Sequence, residues 1–148
     1  MKNKFVLLLL VIYFGAGCTL NEKGSENYSY EEIPEIERNY SEVSDYELTW
    51  ESMFDVSENL YYVYIYSTTC SHCEELKNYI ILKALDLGNI YFIKGTSKDQ
   101  ITSDSRKLIG AEKSEDVWIL GYPTLLKISY HKIAKNYAGI SQIKNELK

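Results

Sequence analysis

Residues 59–76 read NLYYVYIYSTTCSHCEEL. The first eight are a nearly continuous run of aromatic and β-branched side chains, which suits a strand buried on both faces. Ser67-Thr68-Thr69 follows as a short turn. Cys70 then opens a segment that reads as helix to Leu87. Leu76, Ile80 and Ala84 recur every four residues, Leu87 follows three later, and Gly88 fits the stop. A Cys-x-x-Cys pair therefore stands between a buried strand and the start of a helix.

Working outward, Asn89 to Lys94 reads as a second strand of the same buried type. Ser103 to about Lys113 reads as a helix with Leu108 and Ile109 inward. Thr124–Tyr130 and Lys132–Tyr137 read as a hairpin around His131, and Gly139 precedes a final helix over Ser141–Lys148. Upstream, Asp45 to Thr49 suits a short edge strand and Trp50 to Asp55 one or two helical turns. The order β-α-β-α-β-α-β-β-α predicts an α/β domain. Its strand-helix-strand units imply parallel pairing, and the closing hairpin adds antiparallel strands. The result is a central mixed β-sheet flanked by helices.

The Cys70-Ser71-His72-Cys73 motif has several readings. Half of a zinc site needs two more ligands, and His72 and His131 are the only others of the usual type besides Cys18. Haem attachment needs His directly after the second cysteine, and residue 74 is Glu. Two core cysteines are poorly hidden at the mouth of a helix. The strand–CxxC–helix context favours a redox dithiol. The helix N-terminus, with its unpaired N–H groups and positive dipole end, stabilises a thiolate at Cys70. Cys70 is expected to be the more exposed, attacking sulfur, and Cys73, one turn in, the resolving one. His72 either stabilises the Cys70 thiolate or is a solvated spacer.

Tyr62 to Leu76 (YVYIYSTTCSHCEEL), followed about fifty residues on by Gly121-Tyr122-Pro123-Thr124-Leu125-Leu126, resembles the thioredoxin superfamily over residues 45–148. The resemblance implies a thioredoxin-like fold with Cys70 and Cys73 as catalytic pair. It implies a cis Pro123 facing them, and a substrate segment held by Tyr122, Pro123 and Thr69. Three features depart from thioredoxin itself: Thr69 replaces Trp, Ser71-His72 replaces Gly-Pro, and Tyr64 replaces the buried acid six residues before the first cysteine. The Ser-His spacer is similar to those of disulfide isomerases and periplasmic oxidases. The layout also resembles small lipid-anchored thioredoxin-like proteins, bacteriocin-associated accessory proteins among them.

Residues 1–17 (MKNKFVLLLLVIYFGAG) have signal-peptide anatomy: Lys2 and Lys4, an apolar run from Phe5 to Phe14, and small residues before Cys18. Ten apolar residues are too few to span a bilayer as a helix. Gly15-Ala16-Gly17-Cys18 resembles the lipobox of bacterial lipoproteins, with Gly15 where an aliphatic is usual. The resemblance implies that Cys18 is diacylglyceryl-modified, carries acyl chains such as palmitate, and becomes the first mature residue. Such an anchor holds a protein stably at a membrane. A non-cleaved anchor and a plain secretory signal are the alternatives.

Residues 21–50 carry nine acidic and two basic side chains, whereas the overall balance is 21 acidic to 16 basic, a net charge of −5. Residues 18–44 therefore read as a lipid-anchored, acidic, flexible linker before a domain over 45–148. The alternative is an extension that packs its tyrosines on the domain. The charge argues against nucleic acid as partner. With 45% apolar residues the chain can bury a core.

These readings converge on an extracytoplasmic, membrane-anchored bacterial thiol–disulfide oxidoreductase. It is expected to act as a monomer on protein thiols and disulfides, with a possible membrane redox partner and with neither cofactor nor metal. The rival readings are a non-enzymatic thioredoxin-like accessory protein and a metal-delivery protein using Cys70, Cys73 and His72. The chain has 14 tyrosines. Those in residues 61–66 are read as packing, with a substrate groove lined by Tyr66 and Tyr122 as the alternative.

Overall fold

Strand β1 (Leu60–Tyr66) lies inside a four-stranded sheet in the computed structural model, which describes residues 36–96 and 99–148. Cys18, the signal segment and most of the linker fall outside the described residues. Helix α1 (Ser71–Leu87) returns the chain to β2 (Ile90–Lys94), which pairs parallel to β1 with Tyr64 opposite Phe92. Strand β3 (Thr124–Ser129) runs antiparallel on the other side of β1, with Leu125 opposite Tyr64. Strand β4 (Lys132–Ala138) closes the hairpin, and α2 (Ile140–Glu146) follows. The sheet order is β2-β1-β3-β4.

The alternation of side chains along β1 assigns each face a separate core. Tyr64 and Tyr66, with Phe92 and Leu125, face Leu76, Ile80, Ile81 and Ala84 of α1 and Ile143 of α2. Tyr61, Val63 and Ile65, with Leu126 and Ile128, face Met53, Val56, Val117 and Ile119. Helices therefore cover one face, and irregular segments cover the other. Helix α1 stops where expected: Gly88 takes φ +70° and donates its N–H to the Ala84 carbonyl at 2.8 Å. The hairpin turns through Tyr130 and His131 at φ +49° and +58°, a backbone twist that matches paired strands. Glu146 ties α2 to the sheet by accepting from Tyr62 at 2.8 Å and Lys127 at 2.9 Å.

The helix expected over Ser103–Lys113 is a short 3₁₀ turn, Ser105–Lys107. Leu108 is buried, but Ile109 is 57% exposed. Two adjacent apolar residues cannot form the stripe that a helix needs to dock. Gly110, at φ +91°, turns the chain so that its N–H and the Ala111 carbonyl bond to Ile133 of β4. The edge strand expected at Asp45–Thr49 is a single parallel bridge, with the Leu48 N–H on the Phe92 carbonyl at 2.8 Å.

The compact unit also begins earlier than residue 45 and takes in residues 36–44. Residues Tyr40–Tyr46, read as the end of a flexible linker and the start of an edge strand, form a 3₁₀ segment closed by a capping box between Asn39 and Glu42. Val43 is fully buried, and Tyr40 stacks on Tyr66 with ring centroids 3.9 Å apart. The Arg38 N–H bonds Asn78 of α1 at 2.9 Å. The alternative reading, tyrosines packed on the domain, describes this segment. Burial of apolar and aromatic surface outweighs the local charge repulsion that suggested a free linker.

Candidate functional site

Cys70 is the N-cap of α1. Its φ and ψ are extended, its carbonyl accepts the Glu74 N–H at 3.2 Å, and its sulfur accepts the Cys73 N–H at 3.2 Å. The Ser67-Thr68-Thr69 turn delivers it there: the Cys70 N–H bonds the Ser67 carbonyl at 3.3 Å, and Thr69 bonds the Ser67 hydroxyl. A sulfur at an N-cap accepts an otherwise unpaired helix donor, and it gains from accepting when it carries charge.

Cys73 is 1% exposed, while Cys70 is partly exposed, and both are free thiols. Burial pushes the Cys73 thiol up to about 12, and its pairing with the Cys70 sulfur adds to that. Cys73 is therefore protonated at neutral pH, and Cys70 is the sulfur available to attack. Thr69 and His72 are exposed beside the pair, and no hydrogen bond joins His72 to either cysteine among the described residues.

The Tyr122–Pro123 peptide is cis. Tyr122 packs against the same core cluster as Cys70 and Cys73, and its charged form would feel Cys73. Its hydroxyl donates to the Thr96 carbonyl at 3.2 Å and to the Asp99 carboxylate. The ring lies over Gly95, where a Cβ would come within 2.4 Å of it. Gly95 itself continues the β1–β2 pairing through its N–H on the Tyr66 carbonyl at 2.7 Å. A parallel β1–α1–β2 unit, an antiparallel β3–β4 hairpin, a CxxC opening α1 and a cis proline entering β3 now stand together. The fold is thioredoxin-like.

Three solved thioredoxins align with the chain. Thioredoxin f2 of Chlamydomonas reinhardtii is 12% identical over 68% of this chain and 88% of its own, with a TM-score of 0.45. Mitochondrial thioredoxin 3 of Saccharomyces cerevisiae is 14% identical over 72% and 93%, at 0.47. Thioredoxin f from spinach chloroplast is 12% identical over 68% and 78%, at 0.47. No protein-family model and no curated protein matches the sequence.

A cleft of about 200 Å³ between Tyr40, Ser67, Thr68, Cys73, Glu74 and Lys77 reaches Cys73. A hollow of about 390 Å³ lies at the β2 edge, between Leu48, Trp50, Phe92 and Asp99, and neither cysteine lines it. Tyr66 is covered by Tyr40 and does not line a groove with Tyr122. Among the described residues, no three His, Cys, Asp or Glu side chains come together as metal ligands would.

Sequence reasoning placed the two cysteines, Tyr122 and Pro123 in one region, and the structure brings Tyr40, Gly95 and Asp99 to it as well. The Asn39–Glu42 capping-box spacing was a readable sign that residues 40–46 turn rather than trail. Nothing local marked Tyr40 as a neighbour of the helix start. Chemically, the arrangement provides an accessible sulfur held by helix donors and a buried thiol one turn behind it, which is the equipment for thiol–disulfide exchange.

Proposed function

We propose that this chain is an extracytoplasmic thiol–disulfide oxidoreductase, held at a bacterial cell membrane by lipid on Cys18 and acting on secreted or surface proteins. The observation that carries the activity is the asymmetry of the pair: Cys70 is the partly exposed helix cap and Cys73 the buried thiol behind it. The anchor rests on the lipobox-like Gly15-Ala16-Gly17-Cys18.

In the exchange, the Cys70 thiolate attacks a client disulfide. A sulfur–sulfur bond forms from Cys70 to one client sulfur, and the other leaves as thiolate. Cys73 then loses its proton and attacks the Cys70 sulfur. The mixed disulfide breaks, Cys70–Cys73 is oxidised, and the client holds two reduced sulfurs. The reverse sequence oxidises a client dithiol. The Tyr122 backbone makes no backbone hydrogen bond among the described residues, which suits pairing with an extended client segment beside Pro123.

The test is turnover of a model protein disulfide. Cys70→Ser should abolish it, and Cys73→Ser should leave a trapped mixed disulfide on Cys70. Unchanged turnover in Cys70→Ser would sink the mechanism. For the anchor, Cys18→Ser should release the protein from membranes into the medium, and retention at the membrane would count against lipidation.

A further inference from the structure

The hydroxyls of Tyr64 and Tyr40 are both buried, and neither has a well-formed hydrogen bond among the described residues. Buried polar groups are nearly always paired, so two unpaired ones beside the same thiol call for a reason. Tyr64 is fully buried in the core cluster that contains Cys73, and Tyr40 packs against that cluster. The Tyr64 hydroxyl lies within electrostatic reach of both the Cys73 sulfur and the Tyr40 hydroxyl. The rings are held firmly: Tyr40 stacks on Tyr66 at 3.9 Å, and Tyr66 lies nearly parallel to Tyr64 at 6.0 Å. Tyr40 and Cys73 also line a cleft at the start of α1.

We infer that Tyr64 and Tyr40 are donors kept in reserve for the charge that appears on Cys73 during resolution. While Cys73 is a thiol, neither hydroxyl has a fixed partner among the described residues. When Cys73 ionises, its proton leaves to water in the cleft. The Tyr64 hydroxyl then donates to the Cys73 sulfur, and the Tyr40 hydroxyl donates to the Tyr64 oxygen. The thiolate attacks the Cys70 sulfur of the mixed disulfide, the Cys70–Cys73 bond forms, and the client sulfur departs as thiolate. Donors aimed at where charge develops lower a barrier because they need no rearrangement at that moment. Tyr64 is thereby a catalytic residue and Tyr40 a positioning residue. Burial disfavours the Cys73 thiolate, and the Tyr64 hydroxyl works against that penalty. The other ionisable groups around Cys73 are Cys70 and Glu74 on α1, Lys77 at the cleft and Tyr122 beside the cis proline.

The inference rests on the exchange reaction proposed above, and one experiment separates the two. The reduced full chain carrying Cys18→Ser is mixed with an aromatic disulfide, dithiobis(nitrobenzoate), which releases one coloured thiolate when Cys70 attacks and a second when Cys73 resolves. In Tyr64→Phe the first release should keep its rate, while the second slows about tenfold or more and its pH midpoint rises. Tyr40→Phe should show the same pattern with a smaller effect. In a Cys70→Ser background, the thiolate absorbance of Cys73 should titrate at higher pH once Tyr64 is Phe. Urea midpoints should not fall, because each change removes only an unpaired hydroxyl. An unchanged second phase with unchanged pH dependence in both variants overturns the inference. Slowing of both phases together, with lost stability, marks a structural role and overturns it too. No Cys70-dependent first release would overturn the exchange reading itself.

Discussion

Gly95 ends β2 beneath the ring of Tyr122, and a methyl group there has no room. Its φ is not in the left-handed region, so the need is for space alone. In Gly95→Ala the new Cβ would stand 2.4 Å from both Cε1 and Oη of Tyr122. Ordinary carbon contacts begin near 3.5 Å, so the ring must retreat by about 1 Å. It then gives up its hydrogen bonds to the Thr96 carbonyl and the Asp99 carboxylate. A neutral bond contributes about 1 kcal/mol and one to a charged group about 1.5–3 kcal/mol, while the alanine recovers about 0.4–1 kcal/mol through the unfolded chain. The expected net loss is about 1.5–3 kcal/mol, read as a fall of about 1–2 M in the urea midpoint. In a Tyr122→Ala background the clash is gone, and Gly95→Ala should cost almost nothing. An equal loss in both backgrounds, or a loss under about 0.5 kcal/mol in the wild-type background, would refute the packing described here.

Three further outcomes follow from the site and its surroundings. Iodoacetamide at pH 7 should place a single adduct on the described domain, at Cys70, because burial holds the Cys73 thiol protonated up to about 12; mass mapping of a second adduct on Cys73 in the folded protein would contradict this. Stability of the reduced protein should fall above about pH 9, measured by urea unfolding. Cys73 and Tyr61 each keep a proton to about 12 in the folded chain, and buried Tyr64 keeps its own further still. Between the unfolded and folded values the native state binds more protons, so each such group removes about 1.4 kcal/mol per pH unit. A flat profile from pH 9 to 11 would be inconsistent with their burial. A chain begun at residue 45 loses Val43 and the Tyr40 stack, and should be less stable than one begun at residue 34 by about 4 kcal/mol or more. Equal unfolding midpoints would restore the later boundary.

Much of this was readable because the deciding signals are local. β1 is an aromatic and β-branched run, α1 repeats Leu76, Ile80 and Ala84 at helical spacing, and the β3–β4 hairpin brackets a two-residue turn. The CxxC announced its own position at a helix start, and Tyr122-Pro123 gave the second half of the site. Residues 103–113 misled because Leu108 and Ile109 carried the whole apolar signal, and one of them faces solvent. The 40–46 segment misled in the other direction. Its acidic composition described its surface side, while Val43 and Tyr40 found partners on α1 and β1 that are distant in sequence. The stacking of Tyr40 on Tyr66, and the contacts of Tyr122 with Gly95 and Asp99, depend on tertiary approach and leave no periodic trace.

In the proposed exchange, Cys70 and Cys73 form a dithiol that opens and closes in use. The most direct test equilibrates the protein in glutathione buffers of graded potential, traps the thiols with acid and an alkylating agent, and counts adducts on Cys70 and Cys73 by mass. One reversible two-electron transition is expected in the range of exchange proteins, between about −120 and −270 mV. A pair that stays closed below about −300 mV, or that never forms the Cys70–Cys73 bond, would contradict it.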